Sequence, residues 1–86
     1  MYDFSDKVVV ITGAAGNLGS AVVHAFEGHG ARLVLLDRKD GRLQESFPAI
    51  SELDKHLLVD RVDMTSAESV VDAISRAVAH HGQIDI

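Results

Sequence analysis

Cysteine is absent from the 86 residues, which excludes disulfides and thiol nucleophiles outright. No apolar run approaches the roughly 20 residues that a bilayer-spanning helix needs, so no membrane partner is expected. The opening residues Met1–Lys7 carry acids and no basic n-region ahead of the first apolar run. A secretory signal is therefore not expected, and the expected address is cytoplasmic. Basic residues are few and scattered, eight Lys and Arg against thirteen Asp and Glu, for a formal charge of -5. That balance excludes the basic footprint of a nucleic-acid binder. A small anionic ligand held locally remains compatible with it.

What is present is a soluble, globular composition, 47% apolar and 24% charged. A chain this short buries only about 60 to 70% of its unfolded surface, so the core must be thin. There is no internal repeat, low-complexity segment or linker, and residues 1–86 read as part of one domain.

Three glycines, Gly13, Gly16 and Gly19, follow directly on the β-branched run Val8–Ile11, and a helical pattern begins behind them. The spacing predicts strand, tight turn, helix. Lys7–Thr12, nearly continuous in apolar residues, reads as a strand buried on both faces of a parallel sheet. Leu18, Ala21, Val22, Ala25 and Phe26 recur at helical spacing and predict the buried face of the first helix, which Gly28 and Gly30 end. Ala31–Leu36 is a second strand closing on Asp37. The predicted unit is a right-handed βαβ crossover.

Arg38–Lys55 is less periodic. Pro48 divides a short helix, Gly41–Phe47, from an irregular or helical turn. His56–Val62 predicts a third strand ending at Asp63. Thr65 and Glu68 fit a capping box for a last helix, whose expected apolar stripe is Ala67, Val70, Val71, Ile74, Ala77 and Val78. Ile84, Asp85 and Ile86 read as the start of a fourth strand. The expected class is α/β, a Rossmann-like three-layer αβα arrangement with a doubly wound parallel sheet, here its first βαβαβα part.

In such a sheet the strand ends share one edge, which brings together the glycine turn, Asp37 and Asp63. Gly13 permits the sharp exit from the strand, Gly16 leaves room for a pyrophosphate at the backbone, and Gly19 lets the helix pack closely. Asn17 tolerates left-handed backbone angles or could cap the helix. The helix start offers unpaired N–H groups and the positive end of its dipole to a phosphate. Asp37, 18 residues beyond Gly19, stands where an acid reaches the ribose hydroxyls of a dinucleotide, and its carboxylate repels a 2′-phosphate. Arg38 leaves two readings open: a solvated side chain, or a guanidinium that holds that phosphate. Asp63 also reads as a simple turn former before the helix. The histidines His24, His29, His80 and His81 form no ligand face, so no metal is expected.

Thr12-Gly13-Ala14-Ala15-Gly16-Asn17-Leu18-Gly19, Leu36-Asp37, Asp63-Met64-Thr65 and Gly82-Gln83-Ile84-Asp85-Ile86 together resemble the N-terminal part of a short-chain dehydrogenase/reductase. The resemblance covers essentially the whole chain and rests on the joint order of the four segments. It implies that Gly13, Ala15, Asn17 and Leu18 line a pyrophosphate, Asp37 the adenosine ribose, and Asp63 and Met64 the adenine. It implies NAD rather than NADP as cofactor, a small alcohol or carbonyl substrate, and a homo-oligomer. Asn17 departs from the commonest fingerprint, which has glycine there.

The family's catalytic Ser and its Tyr-x-x-x-Lys pair would follow Ile86. The one tyrosine, Tyr2, has Asp6 four residues on. The resemblance therefore reads this chain as a truncated front portion that binds cofactor without turnover, with no catalytic residue of its own. Two alternatives stand beside it: a non-catalytic NAD(H)-binding or regulatory module, and an α/β methyltransferase whose ligand carries no pyrophosphate. The family's strand order, 3-2-1-4, would leave the first strand at an edge here, which predicts self-association through Val8–Ile11 or instability.

Overall fold

A computed structural model describes residues 3–86; Met1 and Tyr2, the start of the polar lead-in, lie outside the described residues. Three parallel strands, β1 (Val8–Thr12), β2 (Arg32–Leu36) and β3 (Leu57–Val59), form one sheet in the order β1-β2-β3 with β2 central. Helix α1 (Asn17–Glu27) connects β1 to β2, the short helices α2 (Arg42–Ser46) and α3 (Pro48–Ser51) connect β2 to β3, and α4 (Ala67–His81) follows β3. Val8 pairs with Arg32 and Thr12 with Leu36, while Val34 pairs with Leu57 and Leu36 with Val59. All three strand ends therefore point the same way, the condition for a shared ligand edge.

Because side chains alternate along a strand, this register builds two separate cores. Val9, Ile11, Leu33 and Leu35 pack on Val23 of α1 and on Leu43, Phe47 and Ile50 beneath α2 and α3. On the opposite face Val8, Val34, Leu36 and Val59 pack with Val62 and with Ala73 and Ala77 of α4. Helices on both faces of a parallel sheet give the predicted three-layer α/β arrangement. β2, buried on both sides, is the most enclosed element: Leu33, Val34 and Leu35 have no exposed surface.

Helix faces differ from the periodic reading. In α1 the core receives Val23 fully and Val22 and Phe26 partly, whereas Leu18 is 80% exposed and Ala21 and Ala25 lie outside. The helix rolls inward about Gly19, which sits against the turn and turns Leu18 away from the sheet. In α4 the buried residues are Ala73 and Ala77, while Val71, Ile74 and Val78 are exposed. Two alanines allow the helix backbone to approach the sheet closely, so the bulkier half of the expected stripe is displaced to the outside.

The α4 cap is also one residue later than the sequence suggests. Ser66, not Thr65, is the N-cap, and its hydroxyl accepts the Ser69 N–H at 3.2 Å. The Ser69 hydroxyl in turn accepts the Asp63 N–H at 2.9 Å while the Ser66 N–H donates to the Asp63 carbonyl at 3.0 Å, so Ser66 and Ser69 tie the helix start to Asp63 without closing the box expected of Thr65 and Glu68. Thr65 is engaged by Asp63 instead.

β3 occupies only the middle of the predicted His56–Val62 run. His56 precedes it with its buried ring turned into the sheet, where Nδ1 accepts the Leu33 N–H at 3.0 Å and takes the place of a strand carbonyl. Beyond β3, Arg61 adopts a left-handed φ of 58° and breaks the strand, and the Val62 N–H then returns to the Asp37 carbonyl at 3.0 Å.

The free β1 edge expected from strand order is partly covered. Residues 84–86 form no regular strand, yet the Val10 N–H donates to the Ile86 carbonyl at 2.8 Å and the Ile86 N–H donates to the Val8 carbonyl at 3.1 Å. That is the bond pattern of one parallel rung opposite Val9. The Asp85 carboxylate accepts the Val8 N–H at 2.8 Å and the Gln83 amide at 2.8 Å, and these two bonds hold it below the ordinary carboxylate range. The donors most available for edge-to-edge pairing are thus occupied from within the chain.

Candidate functional site

The site begins with the way β1 hands over to α1. Gly13 takes a φ of 61°, the left-handed region that an L side chain adopts only at a cost. The next N–H, from Ala14, donates to the Leu36 carbonyl at 3.1 Å, which ties the turn to the end of β2. Gly19 is glycine for a different reason: a Cβ there would overlap the Gly13 carbonyl oxygen and lie 2.9 Å from the Ala14 Cα. At Gly16 a Cβ would meet only the Gly13 carbonyl, at 3.3 Å.

Gly16, not Asn17, is the N-cap of α1, and it supplies no side-chain bond to the helix start. The first N–H that bonds back is that of Ser20, to the Gly16 carbonyl at 2.8 Å. The N–H groups of the first helical residues, with the positive end of the dipole, therefore face outward above the strand ends.

Asp37 stands at the end of β2, 8% exposed. One carboxylate oxygen accepts the Ala15 N–H from the turn at 3.0 Å, and the other accepts the Lys39 N–H at 3.2 Å. Its backbone is fixed as well, with the N–H donating to the Val59 carbonyl and the carbonyl accepting from Val62. Arg42, at the start of α2, reaches the Ala15 carbonyl at 3.4 Å. The Ala15 peptide is thus held at both ends, by the acid and by the guanidinium.

Between these elements lies a hollow of about 200 Å³. β1 contributes Thr12 and Gly13, β2 and its exit contribute Leu36, Asp37 and Arg38, and the segment before α4 contributes Val62, Asp63, Met64 and Thr65. Both Thr65 donors, the backbone N–H at 2.9 Å and the hydroxyl at 2.6 Å, converge on one oxygen of Asp63. These bonds, with a smaller contribution from the Arg38 charge, hold the Asp63 carboxyl below the ordinary carboxylate range. Asp63 stays ionised and acceptor-only down to acid pH.

Five of the expected residues, Gly13, Asp37, Arg38, Asp63 and Met64, line this hollow. Ala15 is bonded to Asp37 beside it, and Gly16, Asn17, Leu18 and Gly19 run along the turn and the first helical turn above. Thr12 and Thr65 belong to the family-like segments without an expected ligand role, and Val62 and Arg42 carry no such expectation from the sequence. Val62 falls in the predicted third strand, and an arginine that reaches a carbonyl 27 residues away leaves no local signal.

A carboxylate with two fixed oxygens, an apolar hollow next to it and an uncapped helix start form a donor and acceptor set suited to an adenosine diphosphate group. Fold and site together define a parallel α/β protein of the nucleotide-binding kind, with its ligand edge at the strand ends.

The sequence profile of the short chain dehydrogenase family matches residues 7–86, and the chain belongs to that family. Among curated relatives, a CLA biosynthesis dehydrogenase/reductase of Lactiplantibacillus plantarum is 33% identical over 86 residues, which are all of this chain and 30% of that protein. Among solved structures, a short-chain dehydrogenase/reductase of Brucella melitensis described as glucose/ribitol dehydrogenase superposes with a TM-score of 0.89 at 27% identity, over 98% of this chain and 35% of that one. A 3-ketoacyl-(acyl-carrier-protein) reductase from the same organism, complexed with NADH, gives a TM-score of 0.85 at 28% identity, over 96% and 33% of the two chains. The chain spans about a third of the length of the relatives it matches.

Proposed function

We propose that residues 1–86 are the first part of a single Rossmann-like domain and hold the adenosine half of a nicotinamide dinucleotide, NAD in preference to NADP. The observation that carries this reading is Asp37: a nearly buried carboxylate at the end of the central strand, bonded to the glycine turn on one side and bordering the hollow on the other. There it accepts ribose hydroxyls and opposes a 2′-phosphate. The N–H groups at the start of α1, near Ala15, Asn17 and Leu18, take the pyrophosphate. Asp63 accepts from the adenine amino group, and the Met64 backbone lies beside the ring. The complex of a structural neighbour with NADH supports the same ligand class.

The bound cofactor would supply hydride chemistry, exchanged with a small alcohol or carbonyl substrate. This chain's own residues bind and orient the nucleotide and carry no Tyr-x-x-x-Lys pair for proton transfer. In the complete oxidoreductase a cytoplasmic setting and a homo-oligomer accompany this role.

Calorimetric titration with NAD⁺, NADP⁺ and S-adenosylmethionine tests the reading. NAD⁺ is expected to bind tightest, and Asp37→Ala to weaken it at least about tenfold while narrowing the gap to NADP⁺. Preferential binding of S-adenosylmethionine, or an Asp37→Ala variant with unchanged NAD⁺ affinity, refutes it. Reduction of a carbonyl panel by the 86-residue chain would refute the assignment of proton transfer to residues outside it.

A further inference from the structure

The hollow has two walls from separate loops, and one side chain joins them. One wall is the segment after β2, which carries Arg38 and leads through Gly41 into α2. The other is the segment after β3, which carries Asp63 and Met64. Asp60, at the exit of β3, accepts the Gly41 N–H at 3.1 Å through Oδ2. Immediately beyond it Arg61 takes the left-handed φ of 58°, one of only two non-glycine residues among those described with a positive φ. That kink turns the chain back so that the Val62 N–H meets the Asp37 carbonyl and Asp63 arrives above the hollow.

We infer that Asp60 is a positioning residue for adenosine recognition: by clipping Gly41 to the exit of β3 it fixes the separation between the Arg38 wall and the Asp63 wall. This rests on the proposed nucleotide role of the hollow. Asp60 does not line the hollow itself, and its carboxylate touches nothing in it. Its effect passes through the backbones on either side.

Each wall has its own anchor to Asp37, from the Lys39 N–H on one side and the Val62 N–H on the other. Those anchors hold the inner ends of the walls. The exposed Arg61–Asp40 pair at 3.7 Å adds little, since such a pair is screened and costs side-chain entropy. The Asp60–Gly41 bond, at 3.1 Å to a fixed backbone N–H, is therefore the shorter of the two polar links between the outer ends and the one that sets how far they stand apart. A pocket held open at a fixed width avoids ordering its walls when ligand arrives, and that saving appears as affinity. Gly41 is suited to its part because its φ of 75° aims its N–H at Asp60 as the chain enters α2.

The test is AMP and NAD⁺ affinity of the full 86-residue chain and its variants, measured at low temperature with the folded fraction checked by circular dichroism. Asp60→Ala is expected to weaken AMP about five- to tenfold and to speed hydrogen exchange at the Gly41 N–H. Asp60→Asn, whose amide oxygen can still accept that N–H, is expected to restore affinity to within about threefold. A role confined to stability would lower the melting temperature of Asp60→Ala and leave the AMP affinity of the folded protein unchanged. That result overturns the inference, as does an Asp60→Asn variant as weak as Asp60→Ala. Should Asp60→Ala not fold, Asp60→Glu keeps the charge but shifts the bond by one methylene, and it must weaken AMP measurably for the inference to stand. Wild-type protein that binds neither AMP nor NAD⁺ would instead overturn the nucleotide reading, and the positioning role with it.

Discussion

Acid should loosen this fold through His56 as the pH falls from 6.5 toward 4. The His56 ring is 6% exposed and its Nδ1 must be bare to accept the Leu33 N–H. Burial, with smaller contributions from the charges of Lys55 and His81, pushes its pKa down from 6.5 to about 4. The folded value lies below the unfolded one, so the unfolded chain binds the proton first as pH falls. Stability is intact above pH 6.5, erodes from there toward pH 4, and stays reduced below it. Across that interval the loss approaches about 3 kcal/mol, of which about 2.5 kcal/mol has gone by pH 4.5. A domain of this size holds only about 4 to 13 kcal/mol in all.

Urea unfolding at pH 7.5, 6.5, 5.5 and 4.5 measures this loss, compared between the native chain and His56→Asn. The asparagine amide oxygen can stand close to where Nδ1 stands and keep the Leu33 bond, but it does not titrate. With a slope of about 1 kcal/mol/M for so small a domain, the native midpoint should fall about 2.5 M over the range. The variant should keep only the shallower dependence left by His81, whose pKa burial also lowers. Asp63 and Asp85 do not interfere, because their carboxyls are held below their ordinary value of 3.8 and lose their contribution only under the range tested. Parallel curves for native and variant protein would refute the reasoning.

Two further outcomes follow from packing. Gly19→Ala should cost about 3 kcal/mol or more in urea unfolding, because the added methyl meets backbone that cannot move aside, whereas Gly13→Ala, with open space around its Cβ but a left-handed φ, should cost only about 1 to 2 kcal/mol. Equal costs would contradict the separate reasons given for the two glycines. On α4, Val71→Ser and Val78→Ser should change the stability of the chain by less than about 0.5 kcal/mol, while Ala77→Leu should cost about 1 to 3 kcal/mol by overfilling the contact with the sheet. The opposite ranking would show that the outward stripe is the one that packs.

The elements legible in the sequence are those whose reason is local. Short apolar runs mark the three strands, β-branched in the first and leucine-rich in the other two, and the glycine spacing places the turn where the backbone requires it. Pro48 marks the break between α2 and α3 because it sits at the first position of the second helix. Asp37 is legible by its distance from the turn and Asp63 as the end of the third predicted strand, and both border the hollow. Which helix face turns inward was not legible, because it depends on how closely the helix can approach. Gly19 in α1 and Ala73 and Ala77 in α4 permit that approach, and a pattern that weighs only apolarity favours the bulkier Leu18, Val71 and Val78. His56 left no signal either, since its role is to stand in for a strand carbonyl toward a residue 23 positions earlier. The same holds for Asp60, whose partner Gly41 is 19 positions away.

The contact of Gly19 with the Gly13 carbonyl also bears on how such a gene can change. Every missense change from a glycine codon by one base adds at least a Cβ, and at position 19 every such carbon falls on main-chain atoms. No chemically mild missense step exists there, so drift at that codon is confined to synonymous changes. Position 16 is different, since a Cβ there meets a single oxygen at 3.3 Å. Saturation mutagenesis of the turn should therefore return a sharp peak of intolerance at 19 beside a shallower one at 16. In a lineage of such genes the spacing between the first and last glycine would persist while the residues between them vary.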